Sequence, residues 1–243
     1  MLRMSILMST PCSRRRAFTR TPWQNFSRDK VGIEREVKYQ VLDQALFRRL
    51  NAMDHIGNFA LEHAGTVDIL TIYLDTPELA LFYGHHALRL RIMQGRVFLS
   101  LKGPSASPDG LVQERPEDEV DAPGFSEKSL PSVEDILRLM PSSAGLLKGL
   151  ILSASLRSMD KRSLHYVLHE SERAYEIACD TVVFSSPRKP GHRADATELE
   201  IEQKAGSVEG LQDLMRAFET FFAVVPRRAS SKYQDGLKAL ELI

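Results

Sequence analysis

Cysteine is scarce in this 243-residue chain, which contains only Cys12 and Cys179. Two cysteines so far apart provide neither a disulfide framework nor the spacing of a zinc site, and they fit a reducing compartment. No apolar run approaches the roughly 18 residues that span a bilayer, so we expect no membrane partner. Basic and acidic residues balance at 32 each, so no basic excess indicates nucleic acid as a partner. Any electrostatic function must therefore come from a local arrangement of charges.

The length and the 43% hydrophobic content are enough for one sizeable core. Residues 1–30 differ from the rest because they hold six arginines and no acidic residue before Asp29. We interpret them as a basic N-terminal extension that is expected to be disordered, with a transit peptide as the alternative. One domain is therefore expected over residues 31–243. Its expected location is the cytoplasm, or an organelle if residues 1–30 are a transit peptide.

The stretch from Ile33 to Tyr39 alternates in character and reads Ile-Glu-Arg-Glu-Val-Lys-Tyr. Side chains of an extended strand alternate between faces, so Glu34, Glu36 and Lys38 share one side, about 7 Å apart. The opposite side is apolar except for Arg35 and is expected to be buried: Ile33, Val37 and Tyr39. Taken alone, the stretch also fits an ordinary surface strand with a wet polar face.

The same alternation recurs along the chain, with the charges sorted by sign. Glutamates alternate at positions 34/36, 117/119 and 198/200/202, and cations stand at Arg89, Arg91, Lys102, Arg115, Arg157 and Arg162. Like charges on one strand are unfavourable unless opposite charges or a cation stand across from them. The apolar faces of these strands match apolar stripes on the predicted helices, which would cover them. We therefore predict a mainly β, α+β fold whose charged faces meet water or each other.

A closed sheet with these charges inside would enclose at least seven carboxylates and a similar number of cations. Burying charges is costly, so such an interior makes sense mainly if it is hydrated and holds a highly charged ligand. Hard divalent cations take carboxylate oxygens and bridge to phosphates, while arginine and lysine bind phosphate oxygens. Glutamates and cations together therefore indicate a metal-bound polyphosphate.

Six segments, taken together, resemble the CYTH domain, or triphosphate tunnel metalloenzyme family. The first, Glu34 to Lys38, fits the Glu-x-Glu-x-Lys signature of that family. The others follow in the family's order and spacing: Tyr73–Pro77, Ala87–Arg91, Leu99–Gly103, Glu198–Glu202 and Ser231–Lys232. The resemblance covers about residues 31–240. It implies an eight-stranded antiparallel β-barrel, or tunnel, open at its ends, with helices packed outside.

The resemblance also implies ligands and residue roles. The expected cofactor is Mg²⁺ or Mn²⁺, the expected partner is a small-molecule triphosphate, and a homodimer is compatible with the family. Metal binding would fall to seven glutamates: Glu34, Glu36, Glu117, Glu119, Glu198, Glu200 and Glu202. Phosphate binding would fall to seven cations: Lys38, Arg89, Arg91, Lys102, Arg115, Arg162 and Lys232. Catalysis would rest on Lys38, Glu36 and Glu200, with Lys38 helping to position the attacking water.

A few residues stand apart from this pattern. Pro116 interrupts an otherwise alternating segment and indicates an edge strand or a bulge. Lys204 is expected past the end of the tunnel. The adjacent residues His85 and His86 would face opposite ways in an extended chain, so we expect loop residues rather than a joint metal site.

Three functions are compatible with the sequence. The first is a metal-dependent phosphohydrolase that cleaves the terminal phosphate of inorganic triphosphate or of a small organic triphosphate. The second is a class IV type adenylate cyclase, which shares the family's fold and metal site and makes cyclic AMP from ATP. The third is a non-catalytic module that binds polyphosphate or nucleotide. The full set of acids together with Lys38 favours an enzyme, and the triphosphatase is the leading hypothesis because we identify no adenine pocket in the sequence.

Overall fold

The structure is a computed structural model that describes residues 30–39, 41, 43, 45–106, 112–169, 172–224 and 230–243. Within these ranges it contains nine strands and six α-helices. The strands are β1 (Lys30–Tyr39), β2 (His55–Ile56), β3 (Phe59–Asp75), β4 (Ala87–Met93), β5 (Arg96–Lys102), β6 (Val112–Asp121), β7 (Ser153–His169), β8 (Glu172–Ser185) and β9 (Arg193–Gln203). The helices are α1 (Ala45–Asn51), α2 (Ala80–Tyr83), α3 (Val133–Leu139), α4 (Ala144–Leu147), α5 (Val208–Phe222) and α6 (Lys232–Ala239). The predicted basic extension lies outside the described residues, apart from Lys30 at the start of β1.

Eight of the strands form a closed antiparallel barrel. Their order is β3-β4-β5-β6-β1-β9-β8-β7, and β3 pairs with β7 to close the sheet. The two-residue strand β2 is an addition beside β3. The predicted eight-stranded antiparallel barrel is therefore confirmed. Side-chain alternation gives every strand of such a barrel one inward and one outward face.

Helix α5 covers the outward faces of β1, β8 and β9. Val37 and Tyr39 are buried there against Leu214 and Phe218 of the helix, as the alternation predicts. The prediction for Ile33 was wrong, because its side chain is 57% exposed. The pairing of β1 with β9 covers only positions 36 to 39, so Ile33 lies beyond the part of the strand that α5 shields.

A second apolar layer covers the outward faces of β3, β4, β5 and β6. Helices α3 and α4 bring Ile136 and Leu147 against Leu88 and Leu99 of the sheet. Ser132 caps the N-terminus of helix α3, where a capping box with Asp135 satisfies free backbone N–H groups. None of the helices among the described residues is long and apolar enough to cross a membrane.

Strand β6 runs through Pro116 without a register shift and lies between β5 and β1. The prediction of an edge strand or a bulge was therefore wrong. Pro116 lies just past Lys102, the last residue of β5, which pairs with Glu117. The Pro116 carbonyl accepts a hydrogen bond from the Gly103 N–H at 2.9 Å, so the proline nitrogen faces the side where β5 has already ended. A missing N–H costs little at such a position, and the inward alternation on both sides of the proline is kept.

Helix α6 packs against inward-facing side chains at one end of the barrel. The ring of Tyr233 stacks on the ring of Tyr73, with 4.6 Å between centroids. Gly236 allows the close approach, because a Cβ atom there would lie 2.5 Å from Leu156 and 2.7 Å from Phe184. The predicted arrangement of helices packed around the barrel is confirmed, and α6 is the helix at this end of it.

Candidate active site

The inward faces of the strands line a charged cavity. Every predicted site residue except Glu198 lines this cavity: Glu34, Glu36, Lys38, Arg89, Arg91, Lys102, Arg115, Glu117, Glu119, Arg162, Glu200, Glu202 and Lys232. Glu198 is buried beside it, with Oε2 3.1 Å from Lys232 Nζ. The structure thus brings the predicted residues together, and their individual roles remain predictions.

Glu34 of β1 is at the centre of one group of ion pairs. Lys102 Nζ lies 2.5 Å from Glu34 Oε1, and Arg115 Nε lies 2.8 Å from Oε2. Arg115 also donates through Nη2 to Glu36 Oε1 at 2.7 Å. Burial alone would raise the pKa of Glu34, but Lys102 and Arg115 hold that pKa well below its ordinary value. Glu34 is therefore a carboxylate whose oxygens are directed at two cations.

The cations on this side of the cavity crowd one another. Burial, with Arg115 and Arg89 nearby, lowers the pKa of Lys102 below its ordinary value even though Glu117 and Glu34 counteract the shift. Two neighbouring guanidinium groups thus add to the effect of burial on the lysine pKa, and an added anion is favourable among these three cations. Phosphate oxygens match this need, because arginine can bind two of them at once.

The arginines of β4 face the glutamates of β6. Arg89 Nη2 lies 3.0 Å from Glu117 Oε1, and its Nε donates to the Ser100 hydroxyl at 2.8 Å. Two residues further along each of these strands, Arg91 Nη2 lies 3.2 Å from Glu119 Oε2. Pairing of opposite charges across the sheet explains how like charges can stand in rows along single strands.

Lys38 of β1 is surrounded by carboxylates. It donates to Glu200 of β9, and its Nζ lies 3.9 Å from Glu198 Oε1. Burial alone would lower the pKa of Lys38, but Glu198, Glu200 and Glu36 raise it above its ordinary value. Lys38 is therefore an ammonium, with three N–H groups to donate into the cavity.

Two aspartates, Asp160 and Asp180, belong to the same charged interior and were missed from the sequence. Arg162 donates to both carboxylate oxygens of Asp180, at 2.8 Å and 2.6 Å. Lys232 Nζ lies 2.9 Å from Asp160 and 2.8 Å from Asp180. Strand alternation could have indicated Asp160, because it lies two residues before Arg162 on the same strand and therefore on the same face. Alternation could not indicate the contact with Lys232, because Lys232 lies on a helix that meets the barrel only in the tertiary fold.

Lys204 also lines the cavity, so the expectation that it lies past the tunnel was wrong. Its Nζ lies 2.7 Å from Glu202 and 3.2 Å from Glu176. Although β9 ends at Gln203, the backbone N–H of Lys204 still donates to the Ala174 carbonyl at 2.8 Å. The chain therefore stays beside β8 for one more residue and keeps its inward alternation.

The donor chemistry of the cavity fits a hard divalent cation. Burial raises the pKa of Glu202 to about 7, and the nearby Glu34 and Glu176 raise it further. Lys204 lowers this pKa but offsets only part of the increase. Burial raises the pKa of Glu198 as well. An added cation would favour the charged form of such buried carboxyl groups, and carboxylate oxygens are the ligands that Mg²⁺ and Mn²⁺ prefer. In the part of the chain that the structure describes, no group of three acidic, histidine or cysteine side chains is arranged so that it could hold a metal ion, because the glutamates are turned toward lysines and arginines.

Comparison with known families decides the assignment. The family model of the CYTH domain matches residues 32–236. The chain belongs to the CYTH domain family. The match begins at the third residue of β1, contains the other barrel strands and reaches the first residues of α6. The resemblance inferred from the six sequence segments is therefore confirmed.

Several solved structures have the fold of this CYTH domain. The chain is similar to a Hippeastrum protein described as a candidate adenylyl cyclase with a dominant triphosphatase activity, at 16% identity and a TM-score of 0.53, over 83% of this chain and 93% of that one. It is similar to candidate adenylate cyclases of Vibrio parahaemolyticus (17% identity, TM-score 0.52, 86% and 100% covered) and Bacillus halodurans (20% identity, TM-score 0.51, 85% and 97% covered). No curated protein matches the chain. At these identities the likeness shows the fold.

Proposed function

We propose that this CYTH domain, residues 31–243, is a metal-dependent phosphohydrolase. It would remove the terminal phosphate of inorganic triphosphate or of a small organic triphosphate. The supporting observation is that rows of glutamates and rows of lysines and arginines line one cavity. A metal site alone would not need the cations, and a phosphate site alone would not need the glutamates.

The cations would hold the phosphate chain. Lys102, Arg89 and Arg115 form the crowded group in which the pKa of Lys102 is lowered, so a triphosphate between them would relieve their repulsion. Arg91, Arg162, Lys38 and Lys232 extend this lining along the cavity. Charge-assisted hydrogen bonds from these donors would stabilise the charge that develops on the transferred phosphoryl group.

The glutamates would hold Mg²⁺ or Mn²⁺. Strands β1 and β9 are adjacent, and Glu36 of β1 pairs with Glu202 of β9 in the register. Glu34 lies on β1 and Glu200 on β9. The acidic set is completed by Glu117, Glu119 and Glu198. When bound, the ion would supply Lewis-acid polarisation of the phosphate oxygens. The phosphate ligand would draw the lysines and arginines away from the carboxylates, which would free carboxylate oxygens for the ion.

Lys38 is positioned to orient the attacking water. Its ammonium lies between Glu200 and Glu198 on the cavity wall, so one of its N–H groups could donate to a water oxygen. Glu36 or Glu200 would accept a hydrogen bond from the same water. The water oxygen would bond to the terminal phosphorus as the bridging P–O bond breaks, releasing orthophosphate and a diphosphate. Positioning and charge stabilisation carry most of such a reaction.

A phosphate-release panel tests the proposal. Inorganic triphosphate, ATP and thiamine triphosphate are each incubated with the full chain and Mg²⁺ or Mn²⁺, with EDTA as the control, and cyclic AMP is measured in parallel. We expect metal-dependent release of orthophosphate without a cyclic product. Cyclic AMP with pyrophosphate from ATP would instead identify the cyclase, and no turnover of any triphosphate would leave only a binding function.

A further inference from the structure

A buried carboxylate outside the charged cavity contacts helix α6. Asp75, the last residue of β3, is fully buried and is not among the residues that line the cavity. Its Oδ1 accepts hydrogen bonds from the backbone N–H groups of Thr76 and Leu81, at 2.7 Å and 2.9 Å. Its Oδ2 accepts from the N–H of Phe82 and from the hydroxyl of Tyr233, both at 3.0 Å. Burial of a carboxylate is costly unless its oxygens are hydrogen-bonded, so Asp75 constrains the positions of these donors.

Among these donors, the Tyr233 hydroxyl belongs to α6. The Tyr233 ring lies nearly parallel to the ring of Tyr73, at an interplanar angle of 4°, and the Phe82 ring packs edge-on against it. Its hydroxyl lies 2.7 Å from Ser155 Oγ. Ser155 is the extra residue of a register shift in the pairing of β7 with β3, and such bulges re-aim side chains. Tyr233 is therefore held both at its ring and at its hydroxyl.

Tyr233 directly follows Lys232 in the first turn of α6. Successive side chains of a helix point about 100° apart, so a fixed Tyr233 ring also fixes the direction in which the Lys232 side chain leaves the helix. The Lys232 ammonium forms ion pairs with Asp160 and Asp180 as well. The proposed phosphate ligand would draw the lysines away from the carboxylates, so these ion pairs would no longer hold Lys232. The contact between Asp75 and Tyr233 lies outside the charged cavity and would remain.

We propose that Asp75 is a positioning residue for phosphate binding. It acts through the Tyr233 hydroxyl, which holds α6 so that the Lys232 ammonium is directed at the phosphate chain, and it does not itself touch the substrate. The inference rests on the proposed function and deepens it. It also gives a role to the segment Tyr73–Pro77, which contains none of the predicted site residues.

Tyr233→Phe tests the inference because it removes only the hydroxyl and keeps the stacked ring. The probe is the methylene analogue of inorganic triphosphate, titrated calorimetrically into the full chain at one fixed Mg²⁺ concentration. We expect Tyr233→Phe to raise Kd about threefold to tenfold. Tyr83→Phe, the matched control at a tyrosine that is 65% exposed, should leave Kd unchanged. An unchanged Kd in Tyr233→Phe would overturn the inference and leave the proposed function standing, whereas no binding by the wild type would overturn both.

Double variants distinguish positioning from a general loss of structure. If Tyr233 acts through Lys232, Tyr233→Phe should cost no further affinity in a Lys232→Met background. It should cost its full factor in an Arg91→Gln background, because Arg91 lines the cavity from β4. All variants are measured well below their temperatures of thermal unfolding. Equal further losses in the two backgrounds would overturn the inference.

The lysine ammonium groups provide a second readout that does not require Lys232→Met to fold. In the analogue-bound protein, the ¹⁵N NMR signal of Lys232 Nζ should shift in Tyr233→Phe. It should also shift in Asp75→Asn, which replaces one acceptor oxygen by an NH₂ group that cannot accept a hydrogen bond. The signal of Lys204, which pairs with Glu202, should stay unchanged in both variants. An unchanged Lys232 signal would overturn the inference.

Discussion

Lys232 Nζ, in the first turn of helix α6, lies 2.8 Å from Asp180 Oδ2 of strand β8 inside the barrel. The same ammonium lies 2.9 Å from Asp160 and 3.1 Å from Glu198. All three carboxylate side chains are at most 4% exposed. The three acids hold the pKa of Lys232 well above its ordinary value despite burial, which acts in the opposite direction. One lysine therefore neutralises part of a buried acidic cluster and joins α6 to the barrel.

Replacement of this lysine should destabilise the fold. Lys232→Met leaves buried carboxylates without their cation, and breaking a buried ion pair costs about 3–5 kcal/mol. We expect the free energy of unfolding at pH 7, measured by urea denaturation, to fall by at least about 3 kcal/mol. Lys238→Met, at an exposed position of the same helix, should change it by no more than about 0.5 kcal/mol. Equal stability of the two variants would show that α6 does not depend on these contacts.

Glu36→Gln should abolish metal-dependent turnover while leaving the fold intact. The substitution preserves the shape of the side chain and one acceptor for Arg115, whose Nη2 lies 2.7 Å from Glu36, but it removes the charge that a divalent cation requires. Loss of one such electrostatic contribution lowers kcat by about 10²–10³-fold.

Glu114→Gln is the matched control for Glu36→Gln. Glu114 lies on the outward face of β6, where it accepts a hydrogen bond from Arg35 at 2.7 Å. Orthophosphate release at fixed Mg²⁺ compares the two variants, and circular dichroism verifies their folding. A wild-type rate in Glu36→Gln would remove Glu36 from the proposed metal site.

Arg91 and Arg157 provide a matched pair that separates phosphate binding from general charge. Arg91 lines the cavity, whereas Arg157 lies on the outward face of β7, with Nη1 2.6 Å from Glu127. Arg91→Gln removes a charge-assisted hydrogen bond, so kcat/KM for the triphosphate should fall by about 10–100-fold. Arg157→Gln should leave kcat/KM unchanged. Equal losses in both variants would indicate a long-range effect of net charge instead.

The charged interior could be predicted from the sequence because alternation along a strand is a local property. The rows at Glu34/Glu36, Arg89/Arg91 and Glu198/Glu200 each reveal which side chains share a face, and opposite signs on different strands indicate that the faces meet. Closure of the sheet into a barrel then brings these charged faces together in the interior. Pro116 was misread because its tolerance depends on where the neighbouring strand ends, which local sequence does not contain.

The contacts of helix α6 could not be predicted in the same way. Asp160 and Asp180 receive Lys232 from a segment at least 50 residues away in the chain, and helical periodicity does not indicate which surface a helix will meet. Ile33 was misjudged for a related reason, since its exposure depends on how far α5 extends over β1.

A buried histidine on the outward side of β7 gives the fold a pH dependence that is independent of the charged cavity. His165 is fully buried, and its ring stacks on that of His63 with 4.7 Å between centroids. Neither ring nitrogen has a hydrogen-bond partner among the described residues. Burial, together with the neighbouring His63, lowers the pKa of His165 to about 4 from an ordinary value of 6.5.

The sign of the effect follows from which state binds the proton. Below pH 6.5 the unfolded chain protonates this histidine, whereas the folded chain does so only near pH 4, so stability is complete above pH 6.5 and falls as the pH decreases toward 4. Between pH 7 and pH 5 the group should account for a loss of about 2 kcal/mol in the free energy of unfolding. Urea denaturation of His165→Phe should therefore show a pH dependence smaller by about that amount, and the same substitution at exposed His192 should retain the wild-type dependence. An unchanged slope in His165→Phe would mean that the imidazole titrates normally in the folded protein.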